Sequence, residues 1–350
     1  MGLVLRLTFS IALGAVGGAV FYYFNLPLAW MLGSMTFTTI AALSGAPIAL
    51  HMPTRLSMTA VLGTLLGSAF TPQILQQLQH WGAGALTVAI FVTLMTVVAV
   101  SFLRRIGGMD RATAYFSGTP GGLSEMTLVG ERMGGDTPTI ALVHATRIFV
   151  VVFLLPLFLA SIADLDIPNT ARVLAGRPAA QEGELAILAA CAIVGYILGQ
   201  KLPLPGSQIF IPMVVSAAAY LAGFVEGRPP AEIIAVAQVV IGGAIGARFV
   251  GLDLRKTARP IILGVISALG MLALATTFAY VAAPILGLPM YALLLALSPG
   301  GLAEMSLIAL ALDVDTAFVA TMHLVRIILI VTLAPIFFRA MGWKANPNQP

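Results

Sequence analysis

Pro120-Gly121-Gly122-Leu123-Ser124-Glu125-Met126 recurs, 179 residues further on, as Pro299-Gly300-Gly301-Leu302-Ala303-Glu304-Met305. The register then continues without a gap: Asp136 meets Asp315, His144 meets His323, Arg147 meets Arg326 and Pro156 meets Pro335. Over residues 120–158, 17 of 39 positions are identical to their partners, so the chain holds two copies of one unit. The same offset sets Gly63 and Gly67 on Gly242 and Gly246. A three-residue slip sets Leu26-Pro27-Leu28 on Leu202-Pro203-Leu204. The hydrophilic stretch from Ser161 to Glu184 is the longest in the chain and separates the copies. The expected organisation is a first membrane repeat at 1–160, a polar linker at 161–183, a second repeat at 184–342 and a cytoplasmic tail at 343–350.

Composition says what the copies are made of. Of the 350 residues, 59% are apolar and 9% charged, and the mean hydropathy is +1.00. A soluble domain carries about a quarter charged residues, so too little polar surface exists here to cover a water-soluble particle. The fold class is an all-α polytopic membrane protein. Apolar runs near 3–24, 27–48, 54–70, 83–103, 137–160, 184–200, 207–225, 231–249, 260–283 and 316–339 read as ten spans. The first, with Arg6 but no small-residue cleavage site after it, reads as a retained helix. Two more apolar stretches, 111–134 and 290–313, are broken by Thr119-Pro120-Gly121-Gly122 and Ser298-Pro299-Gly300-Gly301. Proline removes a donor and clashes with the preceding turn, so each stretch should form two half-helices.

Charge orients the copies. The loop after the third span of the first copy has no Lys or Arg, and the one after the fourth has Arg104, Arg105 and Arg111. In the second copy the order is swapped: Arg255, Lys256 and Arg259 follow the third span, and none follow the fourth. Cytoplasmic loops collect Lys and Arg. If each broken segment is re-entrant, the copies are inverted, with five crossings each; thirteen Lys and Arg then lie inside, three outside, and Arg147 and Arg326 within the membrane. Parallel copies give ten against six. The expectation is therefore two inverted repeats of about five transmembrane helices, each with a broken Pro-Gly-Gly re-entrant or discontinuous helix. Both termini are expected in the cytoplasm, with Asp313 and Asp315 outside.

Other function classes are disfavoured. The net charge of +4 is scattered, with no basic stripe for a duplex, so direct nucleic-acid binding is not expected. Cys191 is the only cysteine, which excludes a disulfide framework or thiolate cluster; it reads as buried and inert. No P-loop of the G-x-x-x-x-G-K-[ST] type is present.

A helix broken inside a membrane frees backbone amides and carbonyls that protein, water or a bound ion must satisfy. The half-helix after each Pro-Gly-Gly offers free amides and a positive dipole end, a setting for an anion held by Gly121, Gly122, Gly300 and Gly301. Glu125 and Glu304, three residues past the second glycine, either reach back to cap their helices or carry a coupling proton. His144 and Arg147, like His323 and Arg326, share a helix face at i and i+3. A mid-membrane Arg costs about 2.5–3.5 kcal/mol, so Arg147 and Arg326 must face protein. They either pair with Glu125 and Glu304 or clamp an anion. His144 and His323 either bond a neighbouring helix or shuttle protons. Asp136 and Asp315 read as N-caps, the Gly63/Gly67 and Gly242/Gly246 pairs as helix-packing stripes, and Trp81, Trp343, Tyr22 and Tyr23 as interfacial aromatics.

The duplicated PGGLSEM and PGGLAEM blocks, each followed by a His-x-x-Arg helix and a proline, resemble the AbrB-duplication family of bacterial inner-membrane proteins. The likeness covers essentially the whole chain and is most specific at 117–158 and 296–337. Members are labelled AbrB family transcriptional regulator, regulator of gene expression, or ammonia monooxygenase; the family is distinct from the small soluble DNA-binding regulator of similar name. The resemblance implies a multi-pass bacterial inner-membrane location and brings no established site residues. A monooxygenase needs several converging metal ligands. His51 and His80 fall in loops on opposite faces, and His144 and His323 come one per copy. No enzyme activity, metal or cofactor is expected. The reading is a secondary transporter of a small anionic solute, proton-coupled, working by alternating access. The alternative is a membrane-embedded sensor that regulates gene expression. The partners expected are the small-molecule anion and the lipid bilayer, and a homo-oligomer is left open.

Overall fold

The computed structural model describes residues 2–72, 78–162, 178–202, 204–312 and 314–343. Most of the expected linker, at 163–177, the tail from 344 and Asp313 lie outside the described residues. The described residues form fourteen α-helices and no sheet. In chain order they are α1 (Leu3–Tyr23), α2 (Ala29–Leu43), α3 (Met52–Gly67), α4 (Leu78–Arg105), α5 (Arg111–Gly118), α6 (Leu123–Arg132) and α7 (Thr137–Ile162). Then come α8 (Glu182–Lys201), α9 (Ser207–Leu221), α10 (Ala231–Gly246), α11 (Leu254–Leu286), α12 (Met290–Leu297), α13 (Leu302–Ala311) and α14 (Thr316–Ala340).

Seven of these helices are long and apolar enough to cross a membrane, and the chain is a multi-pass membrane protein. Three of the ten expected spans are shorter than the apolar runs suggested. α2 and α9 have 15 residues each and α3 has 16, about 22–24 Å of helix against a hydrocarbon core of about 30 Å. Local backbone explains the shortening: α2 starts from Leu28 in the left-handed region and stops before Gly45 at φ +80. α9 likewise starts from Gly206 at φ +73.

The chain divides into two compact units, each drawing on both sequence halves. The first comprises Met1–Leu78, Val152–Leu254 and Ala303–Ala320. Its helices meet through small residues. Gly242 of α10 lies against the Met31 carbonyl of α2, and Gly63 of α3 lies against the Ile209 carbonyl of α9. One turn on, Gly246 meets Thr38 and Gly67 meets Ser216. A serine hydroxyl seals each seam: Ser34 donates to the Val239 carbonyl at 2.7 Å, and Ser216 donates to the Thr64 carbonyl at 2.7 Å. The second helix of each copy therefore grips the third helix of the other, at matched positions. The glycine stripes expected from the sequence are these contacts. Cys191 is buried beside Leu188, Ala219 and Val225, as its apolar surroundings suggested.

The second unit comprises Gln79–Val151, Arg255–Leu302 and Thr321–Pro350. Phe91 of α4 and Phe278 of α11 meet at 5.1 Å between ring centroids, and Gly264 of α11 lets Thr146 of α7 approach. Trp81, expected at an interface, is instead buried at 8% exposure. Tyr22 and Tyr23 are exposed, as interfacial rings should be.

Candidate functional site

Both expected breaks are present: α5 ends at Gly118 and α6 begins at Leu123, while α12 ends at Leu297 and α13 begins at Leu302. Thr119 and Ser298 are extended, at ψ 126 and 136, because the following proline excludes the helical conformation from the residue before it. α5 starts on Asp110, whose Oδ1 accepts from the Ala112 and Thr113 amides at 2.9 and 3.0 Å. The break therefore leaves carbonyls pointing into the protein without helical partners, and the structure supplies a donor for them.

That donor is the same arginine in each copy. Arg147 of α7 donates through Nη1 to the Thr119 carbonyl at 3.4 Å and through Nη2 to the Gly121 carbonyl at 3.2 Å. Arg326 of α14 donates through Nη1 to the Ser298 carbonyl and through Nη2 to the Gly300 carbonyl at 2.7 Å. Thr119 matches Ser298 and Gly121 matches Gly300, so the clasp is built twice from equivalent atoms. The guanidinium groups are 2% and 3% exposed, and the Nε–H of each has no partner among the described residues. Arg147 also lies within the Coulombic reach of Arg326. The hydrogen bonds of both arginines go to carbonyls and, for Arg147, to His144, rather than to Glu125 or Glu304.

His144 fixes the aim of Arg147. Its Nε2 sits 2.7 Å from the Phe116 carbonyl, which only accepts, so the Nε2 proton is donated there. Nδ1 is then an acceptor, and Arg147 Nη2 donates to it at 2.8 Å. The contacts define a neutral imidazole in one tautomer. His323 is fully buried at the matched place on α14.

The carboxylates are placed differently. Glu125 folds back beside Gly122, the N-cap of α6. Glu304 belongs to the other unit. It is buried at 8% exposure, bonds its own amide, and feels the charges of Arg55 and Arg248. Tyr115 was not singled out from sequence, yet its hydroxyl donates to the Ala334 carbonyl at 3.0 Å and ties α5 to α14. An aromatic residue in a half-helix gives no signal of this; only the fold brings it to that carbonyl.

The helices after the breaks start on the expected caps. Asp136 accepts from the Thr139 amide at 3.3 Å, and Asp315 accepts from the Phe318 amide at 2.8 Å. Burial pushes the Asp315 carboxyl above its ordinary range, against the pull of the Phe318 and Ala317 amides. A carboxyl raised on folding contributes most below its unfolded value and loses that contribution as pH rises toward the folded one. Asp315→Asn keeps the cap without the charge, so the wild-type melting midpoint should gain on this variant as pH falls; a constant difference would contradict the assignment. Asp315→Ala should cost about 1 kcal/mol at neutral pH in the same melts.

The family model described as "Transition state regulatory protein AbrB" matches residues 30–342. "Uncharacterized protein YhjN" of Bacillus subtilis (strain 168) is 25% identical over 357 residues, covering 95% of this chain and 92% of the relative. "Putative regulator AbrB" of Escherichia coli (strain K12) is 24% identical over 332 residues, covering 92% of each. With the family model spanning nearly all of both copies, the chain belongs to the AbrB family of multi-span membrane proteins.

Proposed function

We propose that the protein is a secondary transporter of a small anionic solute, proton-coupled, in a bacterial inner membrane with both termini cytoplasmic. The observation that carries the reading is the twin clasp. Two buried guanidinium groups, one within the electrostatic reach of the other, each keep the Nε–H unused after the break carbonyls are satisfied. Like charges held together in a low-dielectric interior favour a bound anion. Gly122, Gly300 and Gly301 add backbone amides of the two breaks, whereas the Gly121 amide, expected there from the sequence, is taken by the Thr119 carbonyl at 2.8 Å; discontinuous helices of this kind line substrate sites in transporters built from inverted repeats.

The reciprocal grip of α2 on α10 and of α9 on α3 supports copies related by a two-fold operation. The swapped order of basic loops supports placing that axis in the membrane plane, with the broken segments re-entrant. Alternating access then follows from rocking one set of elements against the other. In this scheme Glu125 and Glu304 carry coupling protons. His144 holds Arg147 in position, because a protonated imidazole would turn an N–H toward the guanidinium, while the fully buried His323 is left to carry a coupling proton. A regulatory reading has support only in the names of the family and its Escherichia coli member. The protein would then sense the anion with the same site.

The test is flux into proteoliposomes of phosphate, sulfate, acetate and succinate under an imposed pH gradient. Uptake of at least one, lost without the gradient, is expected; leakage equal to that of empty vesicles for all four counts against transport. Orientation is checked separately. Single cysteines in a Cys191→Ala background at 105 and 253 should be labelled from the same side, and labelling from opposite sides overturns the inverted arrangement.

A further inference from the structure

The last turn of α4 overhangs a cavity of 520 Å³ that the anion site does not use; Ser101, Arg104, Arg105, Tyr115, Met341 and Trp343 are among its lining residues. All of it belongs to the second unit. Beyond α14 the chain turns at Gly342, φ +68, a conformation that favours glycine, and delivers Trp343 to the cavity wall. There the indole meets Tyr115 edge-on at 6.1 Å and Phe338 at 5.7 Å. The Arg104 guanidinium lies over this ring at 4.9 Å, and that of Arg111 at 6.0 Å. Two arginines thus line the cavity and a third lies against its indole wall, and among the described residues none of them is in an ion pair. Arginine at the end of α4 would complement the helix dipole wherever it pointed. That does not account for two of them lining one aromatic-walled cavity with a third against its indole.

We propose that this cavity is a binding site for the headgroup of an anionic phospholipid. Arg104 and Arg105 hold the phosphate through charge-assisted hydrogen bonds, and the Trp343 ring fixes Arg104 by cation–π contact. The choice of a lipid over a soluble phosphate comes from the walls. Val97 lines the cavity and is 59% exposed; Leu94, Val98 and Ile106 continue the exposed apolar face at 40%, 49% and 71%. An acyl chain can lie along that face while its phosphate sits in the cavity, as in basic pockets between membrane helices. The inference stands apart from the transport reading and from which side the loop faces.

The experiment uses the full-length protein in detergent. Native mass spectrometry and thermal melts are run with cardiolipin, phosphatidylglycerol, phosphatidylcholine or glycerol 3-phosphate added. Anionic lipid should bind stoichiometrically and raise the melting midpoint, phosphatidylcholine should do neither, and glycerol 3-phosphate should give little of the shift. Arg104→Gln/Arg105→Gln should weaken anionic-lipid binding by on the order of tenfold. Arg255→Gln/Lys256→Gln, which removes the same charge from the other basic loop, should leave it unchanged. Equal weakening by both pairs, equal shifts with charged and zwitterionic lipid, or a full shift with glycerol 3-phosphate would each overturn the site. Should the arginine pair fail to fold, Trp343→Leu must show the same loss of binding, and its retention of wild-type affinity overturns the proposal as well.

Discussion

Arg147→Lys combined with Arg326→Lys is expected to yield a folded but strongly destabilised protein that no longer responds to any anion. Lysine keeps the charge yet reaches one carbonyl rather than two, so each break loses a fork. A buried carbonyl left without a donor costs about 1–3 kcal/mol; the Thr119 carbonyl keeps the Gly121 amide at 2.8 Å, so the larger loss falls on the break of the second copy. Stability alone would fall for a purely structural clasp. The distinguishing readout is the midpoint shift caused by phosphate, sulfate, acetate or succinate. Wild type should show it for the transported anion, whereas the double-lysine protein should show none even where it remains folded. An anion-induced shift that survives both substitutions would remove the arginines from the site and leave them as fasteners of the broken helices.

Gly33→Val should have the second largest effect. A Cβ at Gly33 would enter the Gly17 carbonyl, and one at Gly17 would enter the Gly33 carbonyl, so neither backbone can yield without parting α1 from α2. Overpacking usually costs about 1–3 kcal/mol, and a clash with backbone rather than a movable side chain belongs at or beyond the upper end. Gly270→Ala is the matched control. It lies inside α11 with nothing within 4 Å of the added carbon, so it should gain up to about 1 kcal/mol from helix propensity. Fluorescence-detected gel filtration after stepwise heating reads both. If Gly33→Val kept a wild-type profile, the close approach of α1 and α2 would not be a feature of the folded protein.

The parts of the molecule legible in the sequence are those that chain-local chemistry dictates. Pro120 and Pro299 force breaks wherever the rest of the fold puts them, and Asp136 and Asp315 cap the helices they precede. Glycines at 63, 67, 242 and 246 lie on helix faces that can only serve as contacts. Partner choice was less legible. The i, i+3 spacing of His144 and Arg147 shows that they share a face, but not that the histidine would aim the arginine or that the arginine would seek carbonyls. The sequence leaves Glu125 as either a helix cap or a counter-ion, and Arg147 bonds carbonyls and His144 instead. Helix length was overestimated at α2 and α9, because hydropathy is blind to a left-handed residue that stops a helix inside an apolar run. Trp343 and Tyr115 gave no warning, since their neighbours are far away in the chain.

The seam between α2 and α10 has a consequence for biogenesis. The Ser34 hydroxyl and its acceptor on Val239 are 205 residues apart. At about 5–20 residues per second the ribosome takes on the order of ten to forty seconds to supply that partner. Throughout this interval the face of α2 that receives the α10 glycines stands open in the lipid, with its cognate helix not yet made. Maturation therefore cannot proceed one half at a time: a nascent chain stalled anywhere before the tenth helix is a substrate for membrane quality control, and only its completion covers that face.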